Sequence, residues 1–230
     1  MTDWHAHILP AIDDGARNTA ESLRLIESSA EQGITRITAT PHFYAHENTL
    51  SGFLKRRLFA WDEIREELPA NAPEILMGAE VYYFEGISRA EGMRELCIEG
   101  TDILLLEMPF MRWKSGVIRE ALDLNARDGI RVMLAHIERY TAYYKAAELD
   151  AMRREGVLIQ TNAEFFLNRR TRRRALEMFK KGAIDALGSD CHSMHERPPR
   201  LGEAFDVLRE NLGDRAVNDF CDKNNDLFHG

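Results

Sequence analysis

No hydrophobic run in this 230-residue chain is long enough to cross a bilayer. The longest purely aliphatic stretch is Ile103-Leu104-Leu105-Leu106, against the roughly 20 apolar residues a spanning helix needs. The opening segment, Met1-Thr2-Asp3-Trp4-His5, has neither the basic nor the apolar region of a secretory signal. Cysteine is scarce. Cys97, Cys191 and Cys221 form an odd set that builds no disulfide framework and suits a reducing cytosol. A surplus of positive charge is missing too: 30 Lys and Arg against 38 Asp and Glu leave a net charge of −8. Phosphate backbones call for a basic face, so general nucleic-acid binding is excluded. No solenoid repeat, low-complexity tract or linker divides the chain. These absences predict one cytoplasmic domain over residues 1–230, not inserted in a membrane.

With 44% hydrophobic residues the composition is that of an ordinary globular chain. Four places repeat one pattern, a polar helical stretch, then Gly33, Gly129, Gly156 or Gly182, then an apolar run. Glycine accepts the left-handed conformation that ends a helix, so each pattern predicts a helix followed by a strand. Leu23, Ile26 and Ala30 lie at helical spacing before Gly33, with Asn18 and Glu21 placed as a capping box. Further helices are expected at about 115–128, 145–155, 170–181 and 201–212. Strands are expected at 3–9, 34–40, 75–81, 102–108, 131–136, 157–161 and 183–188. Alternating strands and helices imply βα units around a parallel sheet. Seven such strands suit a closed, TIM-like barrel better than a split doubly wound sheet.

Barrels of this kind keep their chemistry at the carboxyl ends of the strands. Six of the seven expected ends carry a histidine or carboxylate: His5 and His7, with Asp13 and Asp14 beyond, then His42, Glu80, Glu107, His136, and Asp190 with His192. Buried ionisable groups are costly unless a partner or metal compensates, so six coincidences point to metal. His5 and His7 share one side of a strand and form a natural clamp. Mixed imidazole and carboxylate donors suit Zn, Mn or Fe(II). The four carboxylates Asp14, Glu80, Glu107 and Asp190 would be neutralised by two divalent ions, whereas three would leave the positive pocket a phosphate dianion requires. Three ions are therefore expected, and nine donors are many for two.

The motifs Asp3-Trp4-His5-Ala6-His7, Asp13-Asp14-Gly15, Thr40-Pro41-His42, Gly78-Ala79-Glu80, His136-Ile137-Glu138-Arg139-Tyr140 and Gly188-Ser189-Asp190-Cys191-His192 resemble the PHP (polymerase and histidinol phosphatase) family. Within it they are most similar to the CpsB-like capsule-locus tyrosine phosphatase branch, with the motifs in order from about residue 3 to 205. The resemblance implies a distorted (β/α)7 barrel and a trinuclear site, manganese first, with iron, zinc or magnesium as alternatives. It implies one ion on His5, His7, Glu80 and Asp190, a second on Glu80, Glu107 and His136, and a third on Asp14, His42 and His192, Asp13 being the rival of Asp14. It also implies that Arg139 grips the substrate phosphate, the bland alternative being a salt bridge with a nearby acid such as Glu138; Arg197 is expected as a second phosphate ligand because an arginine fork matches phosphate geometry. The implied substrate is the tyrosine-phosphorylated tail of a bacterial autokinase that controls capsule or exopolysaccharide synthesis. The expected reaction is attack of a metal-bridging hydroxide on phosphorus, with Arg139, Glu107 and His42 catalytic and either a metal-bound water or His42 protonating the leaving phenolate. The alternatives are a small-molecule phosphatase acting on histidinol phosphate, a phosphodiesterase, an amidohydrolase, and a non-catalytic barrel with structural metals.

Other features compete for attention. Cys191 to Arg197 has the C-x5-R spacing of a thiol phosphatase loop, but Glu196 places an acid in the cradle and Pro198-Pro199 opposes a following helix. Chance spacing is the better reading. The run Arg169-Arg170-Thr171-Arg172-Arg173-Arg174 reads as a solvated helix face or as a dock for an acidic or multiply phosphorylated tail. Phe43, Tyr44, Phe110, Trp113, Phe165 and Phe166 follow strands and either pack in the core or stack on a phenol ring. His46, His195 and His229 are expected to be non-ligands, and Cys97 and Cys221 small core residues.

Overall fold

The computed structural model describes residues 1–144 and 146–228. In chain order it contains β1 (Thr2–Ala6), α1 (Thr19–Glu31), β2 (Arg36–Ala39), β3 (His42–Phe43), α2 (Leu50–Asp62), β4 (Glu74–Met77), β5 (Glu80–Tyr82), β6 (Ile103–Glu107), α3 (Ser115–Asn125), β7 (Arg131–Leu134), α4 (Ala146–Arg154), β8 (Leu158–Asn162), α5 (Glu164–Leu167), α6 (Arg172–Lys180), β9 (Ala186–Gly188), α7 (Leu201–Leu212) and α8 (Asp214–Asp226). All four punctuating glycines have positive φ. The Asn18 side chain accepts the Glu21 amide at 3.0 Å, as expected, whereas Glu21 reaches back to the amide of Arg17, not that of Asn18. Helices α2 and α8 went unread in the sequence: α2 exposes Leu58 and Phe59, which blurs its apolar stripe, and α8 is dominated by charge. Lys145, where one expected helix begins, lies outside the described residues.

Every strand pairing is parallel. Strands β1, β2 and β4 form one sheet, and β3, β5, β6, β7, β8 and β9 another. The expected strand 75–81 breaks into β4 and β5, and β3 follows the expected strand 34–40 after a break. Pro41 has no amide to donate between β2 and β3, and Gly78-Ala79 separates β4 from β5. Pairing continues across the breaks, with Gly78 donating to the Ala39 carbonyl at 2.9 Å and Glu80 to that of Pro41 at 3.0 Å. The sheet curls until its outer strands meet. The amide of Asp190 donates to the His5 carbonyl (2.7 Å), and that of His7 to the Cys191 carbonyl (3.0 Å).

Apolar packing covers both faces of the curl. Leu25, Ile26, Phe205 and Leu208 form one buried cluster with the helices beside β1 and β9, and Phe53, Leu104, Leu124 and Val132 another. A third gathers Trp4, Ile103, Leu105, Met133 and Ala186. Alternation along β6 puts Leu105 and Glu107 on the same face, so this packed layer sits below the polar mouth. A register shift in β1 between Asp3 and Ala6 re-aims the side chains that enter that mouth, as bulges do.

Candidate metal centre

Six chain segments bring nine donors to one end of the curled sheet. His5 Nε2 and His7 Nε2 lie 3.0 Å apart. Glu80 Oε2 is 3.2 and 3.3 Å from them, and Asp190 Oδ1 is 3.6 and 3.5 Å away. An ion with bonds of about 2.1 Å holds its ligands roughly 3.0–3.4 Å from one another. His5, His7 and Asp190 form one group whose ligand atoms lie close enough to hold an ion, Glu80 Oε2 stands within that spacing of both imidazoles, and the donor set fits a divalent metal. His136 Nε2 approaches Glu80 Oε1 at 2.8 Å and Glu107 Oε1 at 3.3 Å. His42 Nε2 and His192 Nε2 each lie 3.4 Å from Asp14 Oδ1.

The structure separates the two neighbouring aspartates. Asp13 is buried, accepts from His7 Nδ1 at 2.7 Å, and also accepts the amides of Gly15 and His42. It orients an imidazole. Asp14 is 68% exposed and faces His42 and His192. His42 Nδ1 lies 3.0 Å from Glu80 Oε2 but makes no hydrogen bond among the described residues.

At Glu80, His7 and His136 burial opposes charge and the attraction of neighbouring groups overrides it, whereas at His192 burial wins and lowers the pKa of the imidazole. Glu80 is held well below the ordinary carboxylate range by His5, His136 and His42. His7 is raised by Asp13 and Glu80, and His136 is pushed up to about 9 by Glu107 and Glu80. His136 and Asp190 both adopt positive φ, of 33° and 52°. Non-glycine residues in this region cluster at functional sites. The expected strand 131–136 consequently stops at Leu134.

Two polar residues on β8, at the strand end that offered no ionisable group, were missed as site residues. Gln160 Oε1 accepts the His136 amide at 2.6 Å and lies 3.4 Å from His5 Nδ1. Asn162 Nδ2 donates to Asp190 Oδ2 at 2.7 Å, and Gln160 Nε2 donates to Asn162 Oδ1. The signal was the uncharged run Gln160-Thr161-Asn162 closing a strand otherwise buried among apolar residues.

Arg139 Nη2 donates to Asp190 Oδ2 at 2.6 Å, and Arg197 pairs with the same oxygen. Arg139 thus bridges to Asp190 and not to Glu138, whose carboxylate accepts the Asn162 amide and is pushed up to about 7 by burial. One carboxylate presents an oxygen to His5 and His7 and the other oxygen to two guanidinium groups. Beyond them opens a groove of about 770 Å³ lined by Arg139, Asn162, Asp190 and Arg197.

Cys191 is 0% exposed, and burial pushes its thiol up to about 12. It is no nucleophile. Phe43, Trp113, Phe165 and Phe166 are core residues, and Tyr44 stacks on His42 at 5.1 Å. Phe110 is 46% exposed, with its ring 5.8 Å from that of His136 and the Arg139 guanidinium 5.7 Å from its centre. His46 and His195 are exposed outside the donor cluster, while His229 lies outside the described residues. Cys97 is buried as expected, and Cys221 only half-buried.

The family described as "Capsular polysaccharide synthesis, CpsB/CapC" matches residues 1–228. Tyrosine-protein phosphatase CpsB of Streptococcus agalactiae serotype V is 28% identical over 234 residues, covering 95% of this chain and 93% of that protein. Tyrosine-protein phosphatase YwqE of Bacillus subtilis is 27% identical, covering 93% and 85%. A solved structure from work on YwqE of Bacillus subtilis and CpsB of Streptococcus pneumoniae, described as unique metal-dependent tyrosine phosphatases, has a TM-score of 0.81 at 24% identity. That match covers 100% of this chain and 94% of the other.

Proposed function

This chain belongs to the CpsB/CapC family, and on that premise we propose that it is a metal-dependent protein-tyrosine phosphatase. The carrying observation is the gathering of His5, His7, Glu80 and Asp190, with both imidazoles within 3.6 Å of both carboxylates, and two guanidinium groups anchored on the outer oxygen of the same Asp190. Our ligand assignment keeps the three groups read from the sequence: His5, His7, Glu80 and Asp190; Glu80, Glu107 and His136; Asp14, His42 and His192. Three manganese ions are the proposed complement. Bound there, divalent ions would acidify water and neutralise phosphoryl oxygens.

The chain's own residues supply the rest. Arg139 and Arg197 offer forked donors to the phosphate, a geometry suited to its oxygens, and Asp190 holds both at the rim until substrate arrives. Phe110 gives the phenol ring an apolar wall. Glu107, set above the packed layer on β6, keeps His136 Nε2 aimed inward. His42 keeps both roles read from the sequence: its Nε2 faces Asp14 and its Nδ1 faces Glu80, which suits a ligand, and, against the effect of burial, Glu80 raises its affinity for the proton that a leaving phenolate takes up. Tyrosine phenolate, with a pKa of about 10, departs without a strong acid.

We read the strand order β1, β2/β3, β4/β5, β6, β7, β8, β9 as a distorted (β/α)7 barrel of PHP type, forming one domain. The proposed substrate is the phosphorylated tail of a tyrosine autokinase in capsule or exopolysaccharide synthesis, met in the cytoplasm. Three free cysteines and the lack of a membrane-crossing helix among the described residues are compatible with that location. The purified protein should hydrolyse p-nitrophenyl phosphate and a phosphotyrosine peptide, lose both activities to a chelator and regain them with manganese. Full activity in protein shown metal-free by elemental analysis overturns the proposal. Greater catalytic efficiency on histidinol phosphate than on the peptide would move the assignment to the small-molecule branch.

A further inference from the structure

The groove beside Asp190 does not end at the two anchored arginines. It runs over Ala163 and Phe165 to Asn168 and Thr171, and the two residues between these last, Arg169 and Arg170, are exposed. Their turn is held firmly. The Arg170 amide donates to Asn168 Oδ1 at 3.0 Å, and Thr171 Oγ1 donates to the Phe165 carbonyl at 2.8 Å. The five arginines of this stretch divide by what they touch. Arg172 donates to the Phe166 and Leu167 carbonyls and closes the end of α5, and Arg174 reaches the Thr141 carbonyl. Arg173 stands 4.0 Å from Glu177 and is 93% exposed, too open for a strong pair. The Arg169 and Arg170 side chains have no partner among the described residues. Arginines in the first turn of α6, where no acid accompanies them, also oppose the helix dipole. Cations are thus concentrated, at a cost in local stability, at the far end of the groove on a chain whose net charge is −8.

We propose that Arg169 and Arg170, with Arg173 behind them, dock an acidic segment of the same polypeptide whose phosphotyrosine occupies the metal site. This rests on the phosphatase reading above and adds a requirement for negative charge next to the scissile residue. An extended peptide lying along the groove places its flanking carboxylates or phosphates over the arginines while its phosphotyrosine reaches Arg139 and Arg197. The anchor is electrostatic, so it acts mainly on capture of substrate and weakens with salt.

The test uses the metal-loaded protein and three phosphotyrosine peptides, with neutral flanks, Asp/Glu flanks, or a second phosphotyrosine, each acidic group placed on either side in turn. The acidic and doubly phosphorylated peptides should show about tenfold higher kcat/KM than the neutral one at low salt, an advantage that shrinks at high salt. In the Arg169→Glu/Arg170→Glu variant that advantage disappears, while hydrolysis of p-nitrophenyl phosphate and of the neutral peptide is unchanged. Equal turnover of all peptides by the unaltered protein overturns the inference without any variant, and so does a preference that survives the double substitution. Binding to phosphatidylserine vesicles that depends on these arginines, with no flank preference, also overturns it and assigns the patch to a lipid surface. Failure of the loaded protein to hydrolyse any phosphotyrosine substrate is a different result, because it removes the phosphatase reading itself.

Discussion

At the scale of single residues, orientation decides what the donors can do. Asp13 holds His7 by its Nδ1 at 2.7 Å, and partners of this kind fix the ring and raise its basicity. Asp13→Asn should lower metal affinity about 10- to 100-fold with the fold retained, measured by metal titration alongside circular dichroism. His136 carries a second prediction. Burial disfavours its charge, but Glu107 and Glu80 win and push it up to about 9. A ligating nitrogen must be neutral, so metal has to expel this proton at every pH below that value. Affinity should therefore rise between pH 7 and 9, with protons released into weakly buffered solution on binding. A flat affinity profile with no proton release contradicts this. The same scale shows why the C-x5-R spacing at Cys191 misleads: a thiol pushed up to about 12 by burial supplies no thiolate near neutrality.

The elements matter through how closely they approach each other. Strands β1 and β9 meet at Gly188, where an added Cβ would lie 2.5 Å from His5 Cβ, 2.7 Å from Gln160 Nε2 and 3.1 Å from the His5 backbone nitrogen. Gly188→Ala must part the two strands under the metal centre. It should destabilise the metal-free protein by about 1–3 kcal/mol and weaken metal binding as well. Gly116 in α3 is the control, because nothing lies within 4 Å of its added Cβ. Gly116→Ala should be neutral or stabilise slightly, by up to about 1 kcal/mol. Chemical denaturation of both variants separates crowding at the seam from a general intolerance of alanine.

Across the whole molecule, the donors come from β1 and the loop after it, β3, β5, β6, the turn after β7 and the turn after β9. Ions bound among them would tie most of the sheet together at one end, while the apolar layer of Trp4, Leu105 and Met133 supports the site from below. Ligands that bind only the folded state stabilise it by about 2.7 kcal/mol at one hundred times their dissociation constant. Chelation should therefore lower Tm by several degrees and restoration of metal should recover it, read by calorimetry at constant pH. Loss of activity with an unchanged Tm would place the ions outside this cross-linking role.

Much of this was legible beforehand because it depends on local chemistry. Glycine after a polar helix, apolar runs of strand length and ionisable residues at their carboxyl ends are properties of short segments, and they sufficed for a parallel α/β chain with a metal-ready mouth. What required tertiary structure involved contacts between distant segments or the direction of neighbouring side chains. Asp13 and Asp14 share one local sequence, and only the positions of His7, His42 and His192 separate them. Arg139 reaches Asp190 across 51 positions of chain, which no spacing rule reveals. Gln160 and Asn162 carry no charge to mark them, and their importance comes from the amide and carboxylate they meet. Sequence therefore determined which chemistry was present, because composition and periodicity are carried by each segment alone; tertiary structure decided which atoms face one another, because that depends on where the curled sheet brings its two ends together.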